Sequence, residues 1–143
     1  MDAPISDIAH SIQLAVAPVF LLAGIGGLLG VLTNRIGRII DRSRKLQDLL
    51  AGAAAGREED LRGELRLLSR RARMINGAMA LCTASALLVC VVIAVLFLGS
   101  FAAENMAAPI ALLFIGAMLC LIAALLLLMR EVLLSTSRLR IEP

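Results

Sequence analysis

Five polar side chains stand where two apolar stretches give way to charge. Asn34, Arg35 and Arg38 follow the first stretch, and Arg73 and Asn76 open the second. A guanidinium is a permanent cation with fixed donors. At such a place it binds anions, holds lipid phosphates, or forms a ring that attracts anions and opposes cations. Residues for other chemistry are not grouped. The sequence shows no Ser–His–Asp set, no carboxylate pair placed for acid–base work and no phosphate loop, so no enzyme is expected. His10 is the single histidine, and Cys82, Cys90 and Cys120 lie inside apolar runs without a CxxC, so neither metal nor cofactor is expected. The run Gly24-Ile25-Gly26-Gly27-Leu28-Leu29-Gly30 is not a dinucleotide fingerprint, because the third glycine of that motif falls on Leu29.

The elements that must position these residues are set by composition. The chain has 143 residues, 60% of them hydrophobic. Its mean hydropathy of +0.93 is more than a small soluble core can hide. Three stretches, 11–34, 74–103 and 105–129, carry no formal charge. Each exceeds the roughly 20 residues a helix needs to cross hydrocarbon, where an open backbone is not tolerated. The expected fold is an all-α membrane protein forming one domain over 1–143. Its spans fall at about 12–34, 74–101 and 109–129, followed by a cytoplasmic tail at 130–143. Pro18 is expected to kink or loosen its turn, and Pro109 to take the first position of the third helix. The start does not read as a cleavable signal, since Asp2 and Asp7 replace a positive leader.

Charge gives the orientation. Of fourteen Lys and Arg residues, eleven lie in 35–73, and Arg130, Arg138 and Arg140 complete the set. The N-terminus and the link between spans two and three hold only Asp2, Asp7 and Glu104. Basic residues stay on the cytoplasmic side, so the N-terminus is expected outside and the C-terminus inside. With no Trp or Tyr, anchoring falls to Arg and Lys against anionic headgroups of the lipid bilayer. The basic charge lies beside the spans, so nucleic acid is not an expected partner.

The segment 35–73 reads as two helical arms. Ile36, Ile39, Ser43, Leu46 and Leu50 form one seam, and Leu61, Leu65, Leu68, Ala72 and Ile75 the other. The glycines of Ala51-Gly52-Ala53-Ala54-Ala55-Gly56 interrupt them. Helices 1 and 2 are therefore expected to extend into a cytoplasmic antiparallel hairpin, with Glu58–Arg62 and Asp41–Lys45 as i,i+4 pairs.

Span one carries two patterns. Gly26 and Gly30 form a GxxxG pair, and Gly24 and Gly27 add to a small-residue surface suited to close helix packing, on the same chain or on another copy. Gln13, Ala17, Phe20, Gly24, Gly27, Val31, Asn34 and Arg38 share a face that is polar at its ends. That face suits a pore with an apolar constriction, or a packing seam whose ends reach the headgroups. Span two also carries Ser85, and in it Asn76 and Thr83 share a face and are expected to hydrogen-bond across helices. No Asp, Glu, Lys, Arg or His lies in a span core, which argues against proton-coupled transport.

Four runs carry a resemblance. They are Ala17-Pro18-Val19-Phe20-Leu21-Leu22-Ala23-Gly24; Leu32-Thr33-Asn34-Arg35 with Arg38 and Asp41-Arg42; Arg70-Arg71-Ala72-Arg73-Met74-Ile75-Asn76; and Arg130-Glu131-Val132. The chain resembles a family of small bacterial inner-membrane proteins described only as a domain of unknown function. The resemblance implies a three-span protein in that membrane and assigns no activity. The functional expectation is a homo-oligomer with an ion-conducting path. The alternative is a non-conducting scaffold or accessory subunit whose basic hairpin binds a protein partner or anionic lipid.

Overall fold

The computed structural model describes residues 3–102 and 105–139, with side chains over 4–102 and 105–136. Asp2, Glu104 and Arg140 of the topology argument lie outside the described residues, and Arg138 outside the described side chains. There are three helices, α1 (Ala3–Ala51), α2 (Ala55–Gly99) and α3 (Ala107–Leu139), and no strand among the described residues. Each is long and apolar enough to cross a membrane, which marks the chain as a multi-pass membrane protein. At their rise per residue the three measure about 74, 68 and 50 Å, well beyond the roughly 30 Å of hydrocarbon. The excess lies in the charged segments, which continue the spans without a break. α1 also runs unbroken through Pro18, which is buried.

The helix ends follow local chemistry. α1 closes with short bonds from Gly52 N–H to Leu49 C=O (3.3 Å) and from Ala53 N–H to Leu50 C=O (3.4 Å). Ala54 C=O then accepts from the N–H groups of Arg57 (3.0 Å) and Glu58 (3.1 Å), starting α2 three residues later. No described glycine needs a left-handed backbone, so these glycines act by weakening the helix. At α3 the Asn105 side chain accepts from Ala107 N–H at 3.2 Å. Ala107 therefore opens the helix and Pro109 is its third residue, not its first. That position is also harmless, because the first-turn N–H groups have no helical partner to lose. At the other end α3 does not stop at Met129 but continues to Leu139. The stretch read as a tail is thus largely helix.

The chain divides into two compact units, Met1–Leu29 with Leu81–Ala123 and Gly30–Ala80 with Ala124–Pro143. In the first, Ala15, Pro18, Ile25, Cys82, Val89, Val92 and Ala117 are buried. Ser85 is also buried and donates to the Ala117 carbonyl at 2.8 Å, which satisfies its hydroxyl. In the second, Leu32, Ile39, Leu46, Leu61, Leu68, Ile75, Ala78 and Ala124 are buried, and so is Glu131. Along each helix the buried positions recur at steps of seven: Ile25, Leu32, Ile39, Leu46; Leu61, Leu68, Ile75; Ala117, Ala124, Glu131. A seven-residue repeat keeps one seam on its neighbours along a long helix.

Candidate functional site

The seven-residue register brings charge into the core of the second unit. Glu131 takes the next α3 step after Ala124 and is 1% exposed. Arg35 lies three residues after Leu32 and four before Ile39, and Arg71 stands in the same relation to Leu68 and Ile75. Both arginines therefore flank the seams of their helices and turn inward. One Glu131 oxygen, Oε2, accepts from Arg35 Nη1. The other, Oε1, accepts from Arg71 Nε at 3.0 Å and Nη2 at 2.7 Å. Arg71 Nη2 also donates to Ser135 Oγ at 3.3 Å. One carboxylate thus joins all three helices. A buried carboxylate is tolerable only when its oxygens are engaged, and both are. No described buried side-chain polar atom lacks a partner.

Around this node lies a cleft of about 290 Å³, bounded by Arg35, Arg38, Arg42, Arg71 and Ser135 with Glu131. Four arginines against one glutamate leave it cationic. Arg42 is paired with Glu64 at 3.0 Å, whereas Arg38 is exposed and makes no ion pair with a described residue. On α2 the expected pair Glu58–Arg62 forms at 2.6 Å. Asp41 and Lys45 form none among the described residues, and it is Arg42 on α1 that reaches Glu64 instead.

The five polar groups expected together are divided. Arg35 and Arg38 share the cleft around Glu131. Arg73 is exposed and borders a different cleft of about 900 Å³ with Arg70 and Arg130. Asn34 and Asn76 are exposed, and Asn76 has no hydrogen bond to a described residue. The partner of Arg35 from the second arm is Arg71, through Glu131. The seams drawn through Ile36 and Ala72 hid this, since both lie one residue past the inward arginines. The missed signal was the seven-step series ending on an acid.

On α1, Gln13, Ala17, Phe20, Gly24, Gly27, Val31, Asn34 and Arg38 are all exposed. Gly26 and Gly30 are exposed too, and a Cβ added at any of these four glycines would meet nothing within 4 Å. Among the described residues this glycine surface meets no neighbour of its own chain, and the seam of Ile25 and Leu32 lies elsewhere on the helix. By helical geometry Gly27 lies about 160° around α1 from Ile25. The glycine that does meet its own chain is Gly77, where a Cβ would stand 3.4 Å from Leu127 Cδ1.

Three spanning helices tied by one buried carboxylate define a small polytopic membrane protein with no assembled catalytic set among the described residues. The chain belongs to the family described as protein of unknown function (DUF2721), which covers residues 15–141. No curated protein and no solved structure matches it.

Proposed function

We propose that the chain is a non-enzymatic component of the bacterial inner membrane that assembles with copies of itself through α1. The observation that carries this reading is the open glycine face. Gly24, Gly26, Gly27 and Gly30 spread over about half the circumference of α1, the half away from Ile25, and a Cβ at each would meet no described residue within 4 Å. In lipid, where apolar burial gives no drive, small residues matter because they let two backbones approach. A glycine surface left empty by its own protomer is suited to another copy.

The N-terminus lies outside and the C-terminus inside, a reading supported by the confinement of Lys and Arg to 35–73 and 130–140. The arms 35–73 form a cytoplasmic antiparallel hairpin. Support comes from the short link at 52–54, the buried Leu46, Leu61 and Leu68, and the Arg42–Glu64 bond. The assembly is tested by its mass after mild detergent extraction. A species of several protomers of 15.1 kDa is expected, and a monomer would overturn the reading.

A second reading, an ion path at the axis of the assembly, is favoured by one observation. Gln13, Phe20, Val31, Asn34 and Arg38 are exposed around the same side of α1 as the glycines. Copies joined there would bring Asn34 and Arg38 into rings. Reconstituted protein would then conduct with an anion preference, and Arg38→Glu would reduce or reverse it. A silent bilayer would leave a scaffold that presents its basic hairpin to a protein or to lipid.

A further inference from the structure

The larger cationic cleft of the second unit is built from two helices and two kinds of surface. Arg70 and Arg73 come from α2 and Arg130 from α3. All three are exposed, and none is ion-paired with a described residue. No acidic residue lines the cleft; the rest of its wall is Met74, Leu127, Leu133 and Leu134. This differs from the cleft around Glu131, where Arg35, Arg42 and Arg71 each have a carboxylate partner.

Place in the chain adds to the chemistry. Met74 and Leu127 belong to the charge-free stretches; Arg73 and Arg130 stand immediately beyond their ends, and Arg70 about one turn further out. Cations and apolar side chains therefore meet where hydrocarbon gives way to headgroups. A soluble anion would satisfy the arginines but leave the leucines wet. A protein segment would need acidic and apolar groups at matching depth in the bilayer. An anionic phospholipid supplies both halves in one molecule, with phosphate oxygens for the guanidinium groups and acyl chains along Met74 and Leu127.

We propose that this cleft is a specific site for an anionic phospholipid, held by Arg70, Arg73 and Arg130. The proposal rests on the membrane-spanning reading of the helices and not on self-association, because the whole site lies within one protomer. Phosphate oxygens accept from the three guanidinium groups, and the acyl chains run past Met74 and Leu127 into the hydrocarbon.

The test is native mass spectrometry of the full-length protein titrated with phosphatidylglycerol and, separately, with phosphatidylcholine. Phosphatidylglycerol should bind the wild type preferentially. The triple variant Arg70→Gln, Arg73→Gln, Arg130→Gln should bind it about a hundredfold more weakly, as three interfacial cations are lost. A charge-matched control, Lys45→Gln, Arg57→Gln, Arg62→Gln, removes as much charge from exposed positions outside this cleft and outside the neighbouring one that Arg70 and Arg73 also line. Arg57 and Arg62 lie about 20 and 12 Å along α2 before Arg70, further than a Debye length of about 8 Å. The control should therefore change binding by less than about threefold. Because none of the three cleft arginines makes an ion pair with a described residue, the variant should keep its helical circular dichroism. Equal losses in the two triple variants would overturn the site. So would equal binding of the two lipids, or displacement of phosphatidylglycerol by millimolar inorganic phosphate alone. A monomeric wild type that still binds in this pattern would refute the self-association reading and leave this one standing.

Discussion

Glu131 is the residue on which the packing of the second unit turns. It is an acid in a seam otherwise filled by alanine and aliphatic side chains, and it is held by Arg35 and Arg71. Such a group gives less net stability than its bonds suggest, because desolvation offsets much of the attraction. Removing one member is another matter. Glu131→Ala leaves two half-buried guanidinium groups facing each other without an anion. We expect a loss of about 3 kcal/mol, the lower end for a broken buried pair because both arginines keep some water. Replacing the node as a whole, with Arg35→Met, Arg71→Met and Glu131→Leu, should bring stability back to within about 1 kcal/mol of the parent. Thermal unfolding in detergent measures both. If Glu131→Ala melts with the wild type, the node does not hold the helices. The sequence contained this acid in plain view, but its burial depends on two arginines 96 and 60 positions away. It also depends on α3 running past the end of its apolar stretch. Neither follows from hydropathy, which ends the third span at Met129.

At the scale of the elements, the strongest sequence signals were physical exclusions. Charge-free stretches longer than a bilayer crossing have to be helical, and α1, α2 and α3 contain them. The alanine–glycine run marked the interruption between α1 and α2, which falls at residues 52–54. The start of α3 was less legible, because an asparagine cap and a first-position proline are both good helix openings and only geometry chooses between them. The arm seams were legible at Ile39, Leu46, Leu61 and Leu68, all buried. Leu46 offers the sharpest check, being 1% exposed while Leu49, on the same turn, is 52% exposed. Leu46→Asp buries a charge with no partner and should open the arms. Limited proteolysis near Gly52 should become at least several-fold faster. Leu49→Asp, which only adds charge to water, should cleave like the parent. Equal rates in the two variants would place Leu46 outside the seam.

For the whole molecule, α1 carries both an inward seam and an outward surface. The inward seam of α1 is used within the protomer through Ile25, Leu32, Ile39 and Leu46, while its glycine side stays empty. The sequence showed the glycines but not which way they faced. A small-residue pattern is the same whether the neighbour is another helix of the chain or a second copy, and here the chain supplies no neighbour. This gives Gly30→Leu a diagnostic property. With nothing within 4 Å of its Cβ position, the new side chain leaves the fold of the protomer intact. It should obstruct only a contact made from outside. The most direct measurement is the mass of wild-type and Gly30→Leu protein, extracted side by side in the same mild detergent and compared by light scattering. A multimer is expected for the wild type and a folded species at or near the protomer mass for the variant. An unchanged multimer in Gly30→Leu, or a wild type that is itself a monomer, would contradict assembly through this face of α1.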